Sequence, residues 1–199
     1  MSSAAKTSAA LRLAISKNSA SKVQILLGQG VAVDAAARLL AVSRGSAAIL
    51  SLLLEAGPPP TPEEAPPLLI AAVQADGAST LPHLLQIFPV AALEGTVREW
   101  TPLMHAVKLG QLVAVDALLR AGASADHRMP TSGGTALMVG VQHSQPVAIA
   151  RLLEAQAALE TRDAQGWTAL KWAAQVGDAA VMRVLLDAGA TVAAVEGEG

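Results

Sequence analysis

The 199-residue chain contains no cysteine, which excludes disulfide frameworks, thiolate-held zinc, iron–sulfur clusters and thiol catalysis together. It has no tyrosine, one phenylalanine and three tryptophans, so aromatics make up only 2%. A large β-core is thereby disfavoured, because strands draw on aromatic and β-branched side chains. Charge is also sparse: 15% of residues are charged and the net charge is −2. No nucleic-acid partner is expected, since that would want a dense basic patch with stacking aromatics. Long apolar runs are missing too. Mean hydropathy is high at +0.44, yet a membrane-spanning helix needs about 20 mostly apolar residues. The densest runs, 47–54 and 68–73, are far shorter, and no membrane insertion is expected.

What is abundant is alanine, about a fifth of the chain and well above ordinary usage. With leucine it favours closely packed helices. Internal repetition then decides the fold class. Three segments align without gaps: Trp100-Thr-Pro-Leu-Met-His-Ala-Val-Lys-Leu-Gly110, Gly134-Thr-Ala-Leu-Met-Val-Gly-Val-Gln-His-Ser144 and Trp167-Thr-Ala-Leu-Lys-Trp-Ala-Ala-Gln-Val-Gly177. Each is followed by an apolar stretch ending in a Leu-Leu pair, Leu118-Leu119, Leu152-Leu153 and Leu185-Leu186, at intervals of 34 and 33 residues. Thr101, Thr135 and Thr168 stand where a hydroxyl would cap an inner helix, with Pro102 in the first turn. Gly110 and Gly177 would end inner helices, Gly122 and Gly189 outer ones. Small Ala106, Ala173 and Ala174 would let helices approach, and Leu103, Leu137 and Leu170 would form a ladder through the stack.

At these residues the chain resembles the ankyrin-repeat family, whose pattern of Thr-Pro-Leu, Ala-Ala and Gly, then Leu-Leu and Gly-Ala, is best met from Gly166 to Ala190. The resemblance implies an all-α, ankyrin-type helical solenoid of about six repeats of antiparallel helix pairs with short β-hairpin or turn fingers. The repeats divide the chain as 1–34, 35–57, 58–95, 96–129, 130–162 and 163–199 in a single domain. Upstream the pattern is looser. Arg38 falls at a ladder leucine position. The third unit carries about one extra residue near Asp76, Pro82 inside its outer helix, and Phe88-Pro89 in place of the closing glycine. The finger between the first two repeats is nearly absent. Between the second and third it is replaced by the proline-rich residues 58–67, which cannot pair as a ladder and are read as an irregular loop, with a docking segment as the alternative. Glu63-Glu64 reads as a solvated pair there. Residues 99–190 are expected to resist hydrogen exchange best and residues 58–89 to exchange earliest.

No catalytic constellation emerges, and no enzyme, cofactor or metal site is expected. His83, His105, His127 and His143 form no His-x-x-x-His or Glu-x-x-His pair. Gly28-Gln-Gly30 lies at a helix end and lacks the third glycine of a dinucleotide loop. Residues 1–22 are rich in Ser, Ala and bases without an acid, the composition of an organellar transit segment, but their spacing fits a first repeat. An intracellular, cytoplasmic protein is expected. Residues 1–44 hold six bases and one acid, whereas seven acids and three bases follow from residue 154 onward. The basic end reads as a polar cap. The last outer helix is poor in charge at Ala179, Ala180, Met182 and Val184, so either the tail Glu196-Gly-Glu-Gly or a partner covers it.

The resemblance implies a non-catalytic protein–protein interaction module, an adaptor, inhibitor or scaffold, present as a monomer or as a subunit of a hetero-complex. The alternative is a permanent subunit of a larger assembly. By the same resemblance, the residue before each capping threonine is exposed and contacts partners. That makes Trp100 and Trp167 the candidate anchors, with Gly134 leaving a gap between them and Trp172 packed in the stack. Arg98, Lys108, Leu109, Arg128, Gln142, His143, Arg162, Gln165, Gln175 and Val176 would form the surrounding partner-binding rim.

Overall fold

A computed structural model describes residues 3–75 and 78–192, with side chains from residue 7 on. Among these residues there are thirteen α-helices and no strand. They fall into six antiparallel pairs: α1 (Ser3–Ser16) with α2 (Ala20–Gly28), α3 (Ala35–Ser43) with α4 (Ala47–Ala56), α5 (Ala65–Ala75) with α6 (Leu81–Ile87), then, after the four-residue α7 (Val90–Leu93), α8 (Pro102–Leu109) with α9 (Leu112–Arg120), α10 (Ala136–Gln142) with α11 (Pro146–Glu154), and α12 (Ala169–Val176) with α13 (Ala179–Asp187). The first helices of the pairs stack as one inner row from α1 through α3, α5, α8 and α10 to α12. The second helices form an outer row that thins between α4 and α6. The tail 193–199 and residues 76–77 lie outside the described residues, as do the readings made for Asp76 and Glu196.

The local rules operate as read. The hydroxyls of Thr101, Thr135 and Thr168 accept from the backbone N–H groups of Met104, Met138 and Lys171, satisfying donors that a helix start leaves free. Gly110 and Gly177 end their helices at φ of 64° and 78°, a left-handed conformation that costs a residue with a Cβ. Gly140 occupies the alanine position of α10 for another reason. A Cβ there would stand 2.8 Å from Ile149 Cγ1 and 3.2 Å from Val107 Cγ1, so inner and outer helices touch where alanine no longer fits.

Burial follows the stack. Leu103 and Leu137 are enclosed between neighbouring pairs, where hiding a leucine side chain contributes about 1.5–3 kcal/mol. Leu170 departs from the expected ladder: it is only half-buried, because no further pair follows α12 among the described residues. Ala174, expected at a close approach, is exposed for the same reason, while Ala106 and Ala173 are enclosed. Pro82 does not interrupt α6 but stands in its first turn, where a missing N–H costs nothing. The fingers are turns rather than strands, apart from one isolated antiparallel bridge between Val97 and Trp100.

Two features tie repeats together in ways the leucine ladder does not. In the C-terminal half, a carboxylate after each outer helix reaches the next finger. Glu94 accepts from the N–H of Ser124 at 2.8 Å, Asp126 from Ala158 at 2.7 Å, and Glu160 from Thr191 at 2.8 Å. In the N-terminal half, Arg38 replaces the ladder leucine and is 3% exposed. Its Nε and Nη2 donate to the two carboxylate oxygens of Glu64 at 2.9 Å each, and Nη1 donates to the Pro58 carbonyl at 3.2 Å. Glu64 lies in a 3-10 turn, Pro62–Glu64, with its side chain only 18% exposed. The pair expected to be solvated is therefore split: Glu63 faces water, and Glu64 pins the proline-rich segment onto α3.

Glu64→Ala strands a buried guanidinium and should cost about 3–5 kcal/mol in urea denaturation. Arg38→Leu should cost clearly less, because Glu64 sits at the wetter edge. Burial also shifts where opening begins: α5 encloses seven residues, whereas α12 and α13 enclose two each. In native-state hydrogen exchange α5, α8 and α10 should be slowest, and α12–α13 should exchange before them.

Candidate interaction surface

The finger before α8 is a two-residue hairpin. The N–H of Val97 donates to the Trp100 carbonyl at 3.1 Å and the N–H of Trp100 to the Val97 carbonyl at 3.2 Å. Between them Arg98 and Glu99 adopt φ of 52° and 70°, the geometry of a tight turn that normally takes Asn-Gly. Two non-glycine residues in this region cost about 1–2 kcal/mol each. The Glu99 carboxylate accepts from the Thr131 hydroxyl of the next finger, which helps to hold the turn. The result is an exposed Arg98 at the tip and a Trp100 ring laid back on the inner helices. Its centroid is 5.5 Å from that of His105 and 6.2 Å from that of His143, with Lys108 Nζ 5.0 Å above the ring.

Trp167 occupies the equivalent place before α12. Asp163 organises this loop: one carboxylate oxygen accepts from the N–H groups of Gln165 and Trp167 at 2.9 Å each, the other from Trp172 Nε1 at 2.7 Å. Burial works to raise its pKa, but these hydrogen bonds and the Arg128 charge hold it below the usual carboxylate range. Trp167 lies on Trp172, centroids 4.9 Å apart, with Lys171 Nζ 4.7 Å over it. Trp172 is half-buried rather than enclosed.

Two cavities open along the inner row, and Trp100 is a wall of both. The larger, about 550 Å³, lies over α3, α5 and α8 and is bounded by Leu39, Ile70, Gln74, Arg98, His105 and Lys108 among others. The smaller, about 440 Å³, lies over Gly134 between Trp100 and Trp172, with Met129, Gln142 and Gln165 on its sides. Arg98, Trp100 and Lys108 are thus gathered at one cavity, and Trp100, Gln142 and Gln165 at the other. Leu109, His143, Trp167, Gln175 and Val176 line neither. Arg128 and Arg162 serve the fingers instead: Arg128 donates to the Arg162 carbonyl at 2.7 Å and Arg162 to the Gly166 carbonyl at 3.4 Å. The α3 and α5 walls carry no sequence signal of their own, because the repeat register is loosest there.

Burial, and then the Lys108 charge, push the pKa values of His105 and His143 below the ordinary histidine value of 6.5. Each folded histidine therefore takes up its proton later than the unfolded chain does as pH falls. The stability they contribute is complete above about pH 6.5 and declines as pH drops through that value. His105→Gln should flatten the dependence of the melting temperature on pH between about 5 and 7.

Among the described residues no helix is long and apolar enough to cross a membrane, and no group of three or more His, Cys, Asp or Glu side chains could hold a metal ion. A search of curated proteins found no significant match. The crystal structure of the ankyrin repeat domain of Bcl-3, a member of the IkappaB protein family, is similar at 25% identity with a TM-score of 0.77, covering 88% of this chain and 81% of that one. The human ASB11 ankyrin repeat domain shares the fold at 24% identity and a TM-score of 0.76, covering 92% of this chain and 85% of that one. The family model for ankyrin repeats matches residues 68–163 and 103–195, well over half of the chain. With capped inner helices, left-handed closing glycines and stacked pairs all in place, the chain belongs to the ankyrin-repeat family.

Proposed function

We propose that this protein is a non-catalytic interaction module, an adaptor, inhibitor or scaffold, that binds a protein partner along the concave face and fingers of its last three helix pairs. Ankyrin-repeat domains generally mediate protein–protein interaction. The observation that supports this surface is the placement of Trp100: a large ring at the meeting of two cavities, held there by a turn that two non-glycine residues adopt at positive φ. Strain of this kind persists where the surrounding structure over-determines it, and it gathers at working surfaces. Tryptophan is also enriched among the few residues that dominate interface energetics. Trp167 is the second anchor, with Arg98, Lys108, Gln142 and Gln165 around the two openings.

A second reading has its own observation. The final pair leaves Ala179 and Ala180 exposed, Leu170 half-buried and Leu186 45% exposed, an apolar end of the kind that a terminal repeat normally covers with polar residues. A permanent place in a larger assembly would account for it. Native mass spectrometry of the protein from its own cell extract separates the two readings: a salt-resistant complex with no free pool supports the fixed subunit, and a free monomer supports the module.

Once a partner has been captured by affinity purification and identified, Trp100→Ala and Trp167→Ala should each weaken its binding by about 2 kcal/mol or more, measured by calorimetry. Trp100→Ala should also lower the melting temperature modestly, because the ring rests on the core. Normal binding by both variants would place the contact surface elsewhere.

A further inference from the structure

We propose that the larger cavity, over α3, α5 and α8, is a docking site for an acidic segment of a partner protein, which seats an apolar side chain between Ile70 and Trp100 and lays flanking carboxylates on Arg98 and Lys108. The inference rests on the protein-binding reading above and moves the decisive contacts toward the N-terminal half, where the repeat pattern is loosest.

The charge of the walls carries the argument. Every charged side chain lining this cavity is a cation: Arg98 on the finger and Lys108 at the end of α8, with no carboxylate among the described lining residues. Neither cation forms an ion pair with a carboxylate among the described residues. Six arginines are held elsewhere in the fold: Arg12, Arg38, Arg120 and Arg151 in ion pairs, Arg128 and Arg162 on finger carbonyls. Lys17 and Lys22, which form no ion pair among the described residues, line a separate opening at α1 and α2. In a chain of net charge −2, two cations without a carboxylate partner beside one opening, Lys108 resting over the Trp100 ring, are a local feature rather than a reflection of overall charge. His105, also in the wall, adds no competing negative charge; burial first, and then the Lys108 charge, lower its affinity for protons.

The floor sets the other half of the requirement. Ile70, Ala71 and the Trp100 ring are apolar, Leu39 is part-exposed at the lip, and Ser43 and Gln74 are neutral. A carboxylate alone would leave this floor wet, and an apolar side chain alone would leave the cations unpaired; a peptide carrying both satisfies each. The neighbouring cavity contrasts with it. Its walls hold Gln142, Gln165, Thr131 and the Asp163 carboxylate and no basic residue, so the acidic part of a segment crossing Trp100 belongs on the α5 side. Like charges facing across such a contact disfavour it and opposite ones set its register.

The test uses the full chain and a blocked octapeptide, acetylated and amidated, with Leu-Phe at its centre and three Glu on each side. A second peptide carries Gln in place of every Glu. By fluorescence anisotropy the Glu peptide should bind at least about tenfold more tightly than the Gln peptide, and the advantage should shrink as salt rises from about 50 to about 300 mM. The double variant R98Q/K108Q should lose the advantage. Ser43→Trp, which fills the opening from an exposed position of α3 without touching a charge, should lose both peptides. All these side chains are exposed, so unchanged melting curves confirm the fold. Equal binding of the two peptides, binding of neither, or undiminished binding to Ser43→Trp overturns the proposal. So does wild-type self-association in sedimentation that R98Q/K108Q abolishes, since the occupant would then be a second copy of this chain. The broader interaction reading fails differently, by indifference of an identified partner to Trp100→Ala and Trp167→Ala.

Discussion

No helix pair in this chain can cover its own apolar face, and that deficit organises everything else. The inner helices run from seven residues in α10 to fourteen in α1, marginal lengths for a helix alone in water. A ladder leucine is enclosed where pairs stand on both sides, as at Leu103 and Leu137, and half-exposed where one does, as at Leu170. Close approach of the inner row requires small residues, which explains the alanine content and, at Gly140, a residue smaller still. The stack then stays open along one face, because the inner helices have nothing further to pack against there. The open surface is thus a by-product of the way the core is built.

Departures from the repeat are repaired by contacts that tie neighbours in a different currency. Where a ladder leucine is replaced by Arg38, a bidentate carboxylate from the proline-rich turn neutralises it. A buried pair of this kind contributes little net stability compared with a hydrocarbon contact, but it dictates where residues 58–64 lie. That placement matters because the outer row thins between α4 and α6, leaving α3 and α5 to join the first two pairs to the rest. The cavity bounded by Leu39, Ile70 and Lys108 sits over this junction. In the C-terminal half the job falls to Glu94, Asp126 and Glu160, each fixing the next finger through a backbone N–H.

The surface chemistry grows out of the same economy. A finger of two residues forces Arg98 and Glu99 to positive φ, and the strain is offset by the bridge from Val97 to Trp100 and by the contact from Glu99 to Thr131. Trp100 is consequently presented at a definite angle, and cation–π contact with Lys108 adds about 0.5–1 kcal/mol to that orientation. In the last repeat Asp163 performs the corresponding task through hydrogen bonds to Trp167 and Trp172. Two aromatic positions that are equivalent in the repeat therefore end in different surroundings: Trp100 between two openings, Trp167 stacked on a neighbour.

Much of this was legible in the residues themselves, because the informative interactions are local. A capping threonine, a proline in the first turn and a glycine at positive φ act within four or five residues of chain, so the inner helices from residue 101 onward could be drawn from spacing alone; the resemblance of those residues to the ankyrin pattern then implied the family and the all-helical solenoid. Contacts between repeats were not legible, since they join residues about 26 to 37 apart and nothing local pairs them: Arg38 with Glu64, Glu94 with Ser124, Gln145 with Lys108. Nor was position within the stack. Leu137 and Leu170 occupy the same place in the repeat, yet one is enclosed and the other half-exposed, for burial depends on the next pair and not on the residue. Local chemistry along the chain specified the later helices, their order and the pairing rule; packing between distant residues settled which faces stay open, which cations lack a carboxylate partner, and that Trp100 stands between two cavities.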